Sequence, residues 1–412
     1  MSEIDQVFKE IETYRDEVIQ LQKELTSRVA LGPSNGGLGE HEKTTYIKRL
    51  LLNMNPSSLE EIKTPDELAQ DGYRPNLIAR WKDDKDEPRV WVLTHSDIVP
   101  PGDLSLWHTD PYQVEVQGDR IIGRGVEDNQ HGFVSSYLAL KAVLKNNRAE
   151  MRPVGLSVVA DEETGSRYGL QYVLENYSQN FKKRDLIIVP DAGNEEGTMI
   201  EVAEKSMLWL KFIIIGKQCH GSTPGNGKNS LFGVAKLIIA LKNLEKRFVQ
   251  KDDLFSVPAS TFAPTKIEAN VPNINTIPGK DIFYMDCRIM PKYKVDEVIQ
   301  TTREIAIQIE KELDLDIQVE AVHREDAAPS TSPDSPVVTE LMTAIKVVTG
   351  KKAGAMGIGG GTVAAFFRKA GLPAAVWSTQ QDTAHQPNEY CLISDILTDA
   401  KIFAWLFINH VK

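Results

Sequence analysis

Four short apolar runs organise the chain, and each ends where acidic or imidazole side chains begin. Val90–Leu93 (V-W-V-L) leads through Thr94 to His95 and Asp97. Val154–Ala160 (V-G-L-S-V-V-A) runs into Asp161, Glu162 and Glu163, and Leu186–Val189 (L-I-I-V) runs into Pro190 and Asp191. Ala374–Trp377 (A-A-V-W) is followed, after a polar loop, by His385. Continuous rather than alternating hydrophobicity predicts strands covered on both faces, as in a mainly parallel sheet. Ligands of open α/β sheets bind beyond the ends of such strands. The runs therefore predict one sheet edge that carries imidazoles and carboxylates.

The rest of the pattern separates two kinds of organisation. Apolar residues from Ile4 to Leu25 recur at three- and four-residue steps, predicting one amphipathic helix over Ile4–Arg28. Gly32–Gly39 breaks it, Glu40–Leu52 resumes as helix, and Asn76–Trp81 reads as a strand joined by the charged turn Lys82–Pro88 to the run at Val90. Trp107–Tyr112 is a loop, Gly123–Asp128 (G-R-G-V-E-D) follows, and Phe133–Lys145 is a strong helix pattern. Up to Asp191 strand and helix alternate, which argues for an α/β layered domain with helices flanking the sheet.

From Ser206 the order becomes strand Leu208–Ile215, helix Ser230–Phe248, strands Thr261–Ala269 and Ile282–Ile289, helix Val295–Leu313 and strand Ile317–Val322. That β-α-β-β-α-β order is ferredoxin-like. The Pro/Ser-rich connector Ala327–Pro336 then returns to alternating helix and strand. The expected arrangement is one domain of residues 1–206 and 323–412, interrupted by an inserted domain of residues 207–322.

Composition narrows the function classes. With 412 residues the chain is long for a single core. A net charge of -11 argues against general affinity for nucleic acid or anionic membranes, so an anionic substrate needs a local cationic clamp. Cys219, Cys287 and Cys391 are too scattered for a disulfide framework or a zinc ribbon and read as reduced packing residues of a cytoplasmic protein. The acidic start M-S-E-I-D-Q lacks the apolar core of a signal peptide, and no apolar run approaches a membrane span.

His95, Asp128, Glu163, Asp191 and His385 offer two imidazoles and three carboxylates, a donor set suited to Zn²⁺, Mn²⁺ or Co²⁺. Taken singly, a strand-end carboxylate is ordinarily a helix cap or a solvated charge. Five together exceed what a mononuclear catalytic zinc needs and suit two metals sharing a bridging carboxylate, roughly 3.5–4 Å apart. Consecutive Glu162 and Glu163 allow one carboxylate to bind metal while the other moves a proton from the attacking water to the leaving nitrogen. Gly165 lets that turn tighten, and Asp97 can fix the ring of His95.

Other signals carry less. Gly357–Thr362 (G-I-G-G-G-T) lacks the lysine of a phosphate-binding loop. Lys182–Arg184 is a solvated charge run, His108 and His131 fit loop or packing roles, and His41, His323 and His410 match no motif.

The quoted residues carry a resemblance over essentially the whole chain. T-H-S-D-I-V-P-P-G from Thr94, G-R-G-V-E-D-N from Gly123, D-E-E-T-G from Asp161, P-D-A-G from Pro190 and A-H-Q-P-N-E from Ala384 form one ordered set. G-K-Q-C-H-G-S from Gly216, N-T-I-P-G from Asn275 and D-C-R-I-M-P from Asp286 belong to it as well. The set resembles the co-catalytic zinc amidohydrolase and metallopeptidase family of acetylornithine deacetylase, succinyl-diaminopimelate desuccinylase, aminoacylases, carnosine-type dipeptidases and bacterial glutamate carboxypeptidase. Gln130-His131 departs from it, since many members carry Lys-Gly there.

The resemblance implies one metal held by His95 and Asp191, another by Glu163 and His385, Asp128 as bridge, Glu162 as general base, and a cis peptide between Asp128 and Asn129. It implies that His220, Asn275 and Arg288 of the inserted domain meet the substrate, with backbone near Gly361 holding a carboxylate. It also implies a homodimer formed through the inserted lid domain, with His220 reaching the partner's site. For Arg288 the residues themselves leave two readings open, a carboxylate clamp or a structural ion pair with Asp286. The expected activity is hydrolysis of the amide bond of a small N-acyl amino acid or short peptide. A deacetylase or desuccinylase of amino-acid biosynthesis is placed ahead of a dipeptidase or carboxypeptidase. A non-catalytic metal-dependent binding protein on the same fold is the reading from another class.

Overall fold

A computed structural model describes residues 3–84, 86–146 and 149–409, so His410 lies outside the described residues. The chain divides into two compact units, one of Met1–Val202, Ser330–Ala355 and Thr362–Lys412, the other of Ala203–Pro329 and Met356–Gly361.

The first unit is built on a sheet whose strands run, in spatial order, Ser58–Pro65, Tyr73–Trp81, Val154–Val159, Val90–His95, Leu186–Asn194, Ala374–Thr379, Met199–Glu204 and Gly354–Ile358. The four apolar runs are the adjacent central strands, and they are mutually parallel. Antiparallel pairs flank them. Every residue of Val90–His95, Val154–Val159 and Ala374–Thr379 is buried, as continuous hydrophobicity requires. Trp91, Leu93, Ile187 and Val189 pack with Leu170, Val173, Phe181 and Phe367 in one core cluster. Gly155 lies under the Trp91 ring, where a Cβ would come within 2.2 Å of it. Helices Gln130–Asn146, Pro336–Thr349 and Ile393–Ile408 also pack against the central strands.

Several elements differ from expectation, among them the helix expected over Ser230–Phe248, which ends at Leu241 and is followed by a short helix Asn243–Arg247. The N-terminal segment forms two helices, Glu3–Glu12 and Arg15–Thr26. They are separated at Thr13, whose hydroxyl donates to the Glu10 carbonyl at 2.7 Å. Strand Ser58–Pro65 has only Ile62 and Thr64 fully buried, so this edge strand lacks an apolar run to reveal it. Strand Met199–Glu204 carries a buried glutamate, Glu201, satisfied by two 2.8 Å contacts from Arg368.

The second unit is a four-stranded antiparallel sheet in the order Thr261–Ile267, Lys280–Ile289, Ser206–Ile215 and Asp316–Glu325. Leu208, Leu210, Phe212, Phe283, Met285 and Cys287 point into a core shared with helices Ser230–Leu241 and Val295–Leu313. Burial along Lys280–Ile289 alternates strictly, so Tyr284, Asp286 and Arg288 stand on the face away from that core. The glycine-rich turn joins this unit through Gly357 N–H to Leu254 O (2.7 Å) and Lys205 N–H to Ile358 O (3.2 Å). Among the described residues no helix is long and apolar enough to cross a membrane. The three cysteines are unpaired.

Candidate active site

The polar ends of the central strands meet in the first unit. His95 is the last residue of its strand, Asp191 lies within Leu186–Asn194, and Glu162–Thr164 form a single 3-10 turn just beyond Val154–Val159. Gly165 closes that turn at φ 107°, a conformation disfavoured for other residues. Asp128 sits immediately before the cis peptide to Asn129, ahead of helix Gln130–Asn146, and His385 lies in the loop after Ala374–Thr379.

Asp128 stands between the imidazoles, with Oδ1 2.9 Å from His95 Nε2 and Oδ2 3.0 Å from His385 Nε2. Asp191 Oδ1 is 3.4 Å from His95 Nε2, and Glu163 Oε2 is 3.0 Å from His385 Nε2. Two overlapping sets, His95 with Glu162 and Asp191 and His95 with Asp128 and Glu163, have donor atoms within 4.8 Å of one another.

Asp97 holds this arrangement from below. Its carboxylate accepts the N–H groups of Glu162 (3.1 Å) and Glu163 (3.0 Å), and its carbonyl oxygen lies 3.1 Å from His95 Nδ1. With Nδ1 donating there, Nε2 faces Asp128 and Asp191 and is the nitrogen that would bind a metal ion. Burial would depress the His95 imidazolium, but Asp128, Asp191 and Asp97 outweigh it and raise the pKa well above its ordinary value. Burial, followed by the charges of Asp191, Glu163 and Asp128, pushes the Glu162 carboxyl well up. Burial and Asp128 bring Glu163 to about 7. Hydrogen bonds to Asp128 and Glu163 bring His385 to about 10. Glu163 Oε1 is buried without a hydrogen-bond partner. Crowded carboxylates, imidazole nitrogens and a partnerless buried oxygen, with no thiolate among them, fit divalent cations of the zinc type.

Several supporting residues escaped the sequence reading. Glu389 is fully buried and accepts the N–H groups of Gly125 (3.1 Å), Glu127 (2.9 Å) and Asp128 (3.1 Å) as well as Arg124 Nη1 (2.6 Å). Buried Glu127 accepts Thr383 N–H and Oγ1–H, each at 2.7 Å, and the N–H of Gln381. Arg74 binds Glu40 through Nε and Nη2 and approaches Asp66 and Asp161 at 3.6 Å. Asp161 in turn accepts Tyr168 N–H at 2.9 Å and the Thr164 hydroxyl, shaping the turn that carries Glu162. Lys43, also buried, is brought down to about 8 by desolvation, against the charges of Asp97, Glu40 and Glu389. For Glu127, Asp161 and Glu389 the only local signal was a charge inside a short motif, and Glu40, Lys43 and Arg74 lie outside the motifs. The partners of Glu127 and Glu389 lie far away in sequence.

The second unit carries the remaining candidates. His220 is exposed on a two-residue ribbon, paired opposite Thr276, and Gly221 N–H donates to Asn275 O at 2.6 Å. Ser222 N–H donates to His220 Nδ1 at 3.1 Å, which leaves Nε2 to carry the hydrogen of a neutral ring. Arg288 donates from Nε and Nη2 to Asp286 (2.8 and 3.0 Å) and from Nη1 to Gly359 O (3.0 Å). Gly361 lies in the same turn, beside Glu325 and Met207.

The other histidines are accounted for separately. His131 is buried against Asp399 at 2.9 Å, and the His323 ring lies tilted against Trp209 with centroids 4.6 Å apart. His41 lies 3.6 Å from Asp71, and exposed His108 donates its backbone N–H to Asn388 Oδ1 at 2.7 Å.

Comparison with known proteins places this geometry among relatives. Residues 91–409 match Peptidase family M20/M25/M40. An uncharacterized metallohydrolase of Methanocaldococcus jannaschii is 40% identical over 404 residues, spanning 94% of this chain and 98% of that protein. A succinyl-diaminopimelate desuccinylase of Pelagibacter ubique is 24% identical over 409 residues, 97% of this chain and 99% of its own. Human carnosine dipeptidase 1 shares the fold with a TM-score of 0.74 at 17% identity, over 99% of this chain and 98% of that one.

Proposed function

Because the chain belongs to peptidase family M20/M25/M40 and is a metal-dependent hydrolase, we propose that it uses two divalent ions to cleave the amide bond of a small N-acyl amino acid or short peptide. The observation that carries this reading is the turn at Glu162-Glu163, where one buried carboxylate, Asp97, holds both backbone N–H groups. Glu163 thereby turns to His385, while Glu162 shares donor-atom range with His95 and Asp191.

His95 and Asp191 would hold one ion, Glu163 and His385 the other, and Asp128, already between both imidazoles, would bridge. Zinc is the first candidate and cobalt or manganese the alternatives, given donors of nitrogen and oxygen only. When bound, the ions would supply Lewis acidity and lower the pKa of a water toward neutrality. Glu162, whose pKa is raised mainly by burial, takes the proton and delivers it to the leaving nitrogen. Asp97 keeps its backbone and the His95 ring in place.

His220 presents Nε2–H to the developing oxyanion. Arg288 keeps one unshared hydrogen on each terminal nitrogen for a substrate carboxylate, and Asn275 and the backbone at Gly361 are assigned as further substrate contacts on the family resemblance. We place these contacts across a homodimer formed through the inserted unit. Helix Ser230–Leu241 supports this pairing by exposing Leu231, Phe232, Ala235 and Ile239 beside a groove of about 780 Å³. The protein is assigned to the cytoplasm on its unpaired cysteines.

The full-length relative named as a desuccinylase supports a deacylase ahead of a dipeptidase or carboxypeptidase. A hydrolysis screen with acetyl-ornithine, succinyl-diaminopimelate and dipeptides, each with Zn²⁺, Co²⁺ or Mn²⁺, should find turnover of an acyl amino acid. Cleavage of dipeptides alone would replace the deacylase reading, and no turnover by metal-loaded protein would overturn the amide-hydrolase reading.

A further inference from the structure

We propose that Glu127 and Glu389 form a reciprocal clasp of positioning residues that sets the spacing of Asp128 and His385, and with it the affinity of the second metal position. The inference rests on the dinuclear reading above.

Of the three donors outside the strands, Glu163 follows its strand closely in a turn held by Asp97, whereas Asp128 and His385 lie in loops. The His385 loop also holds three non-glycine residues in the left-handed region, Asp382 (φ 55°), His385 (φ 65°) and Asn388 (φ 60°). Such backbone persists only where the surroundings over-determine it.

Here each loop lends a buried carboxylate to the other's backbone. Glu127, adjacent to Asp128, accepts from Gln381 and Thr383, just before His385. Glu389, just after His385, accepts the N–H groups of Gly125, Glu127 and Asp128. Arg124 spans the same gap, donating to Glu389 at 2.6 Å and to the His385 carbonyl at 3.4 Å. The loops cannot separate without breaking charge-assisted hydrogen bonds in a water-poor interior, where such bonds are strong. The 3.0 Å contact between Asp128 Oδ2 and His385 Nε2 is the distance this clasp maintains. His95 and Asp191 stand on paired strands and need no such device.

The test titrates the metal-free full-length protein with Co²⁺ against a chromophoric chelator, for wild type, Glu389→Gln, Glu127→Gln and the double variant. Melting of each metal-free protein is followed in parallel. One Co²⁺ dissociation constant should rise by about 10–100-fold in either single variant, the usual cost of losing a partner behind the ligands. The other should stay within about threefold. The double variant should lose little more than the worse single, because both carboxylates hold one gap. If Glu389→Gln does not fold, Glu127→Gln and Thr383→Val, which removes one clasp donor, carry the same expectation in graded form. Equal weakening of both steps in proportion to a lower Tm would reduce the pair to general scaffolding and overturn the proposal, as would two unchanged constants. A wild-type protein that binds no Co²⁺ would instead remove the dinuclear reading beneath it.

Discussion

In the sheet unit the candidate ligands lie at buried strand ends or in loops tied to them, and the carboxylates beneath them are occupied by backbone N–H groups. In the inserted unit His220 is exposed on a two-residue ribbon and Arg288 stands on an open sheet face, anchored by Asp286 and one carbonyl. Charge stabilisation needs dipoles fixed before the reaction in a low-dielectric site, and buried strands with carboxylate-anchored turns provide that. Groups that meet a substrate must stay reachable until it arrives, so they sit where water also reaches. One region is built for rigidity and the other for access.

The largest effect should come from emptying the rigid region. Dialysis against a chelator should reduce hydrolysis to background, and Zn²⁺ or Co²⁺ should restore it. Full turnover by protein shown to be metal-free would break the comparison at its root.

Next is Glu162→Gln, expected to lower kcat by about 10²–10⁴-fold while metal content is kept. Glu163→Gln, one residue away, should instead lower the occupancy of one metal. Metal analysis beside the kinetics separates the two, and activity of Glu162→Gln within a few-fold of wild type would remove its role as base.

In the accessible region the effects should be smaller and of different kinds. His220→Ala should chiefly lower kcat, and mixing it with inactive Glu162→Gln under subunit exchange should recover activity if the ring acts across a dimer. Arg288→Ala should raise KM by about tenfold or more for substrates with a free carboxylate, the scale of one charge-assisted hydrogen bond. A kcat effect without a KM effect would assign Arg288 to its ion pair with Asp286.

The smallest effect is on stability. Burial would lower the His131 pKa, but Asp399, with Asp395 and Glu127, raises it above 6.5. The folded state then binds this proton more tightly than the unfolded chain. The contribution is fully present below pH 6.5 and is lost as pH rises through the raised value. His131→Gln should therefore melt below wild type by a few °C at acid pH, about what one weak pair contributes, with the gap closing in alkaline buffer. A gap independent of pH would mean that the ring acts by packing.

Much of the site was legible from the chain. The four apolar runs became the adjacent parallel strands, and the donors following them meet at one edge. Less legible were elements without a local signature. Ser58–Pro65 is a half-exposed edge strand, and no glycine or proline marks the break at Thr13. The two readings of Arg288 could not be separated in sequence either. In the structure Asp286 and Gly359 take three of its hydrogens.

By itself the sequence determined the chemistry on offer and the order of its delivery, because strand periodicity and the affinity of imidazole and carboxylate for metals are properties of neighbouring residues. Only the tertiary structure decided what each carboxylate does. Glu127 and Asp128 are consecutive acids in one turn, yet one anchors the backbone at Gln381 and Thr383 while the other lies between two imidazoles. Glu389 finds its donors as far as 265 positions away. A buried charge is defined by the groups that satisfy it, and here folding brings those groups from the far end of the chain.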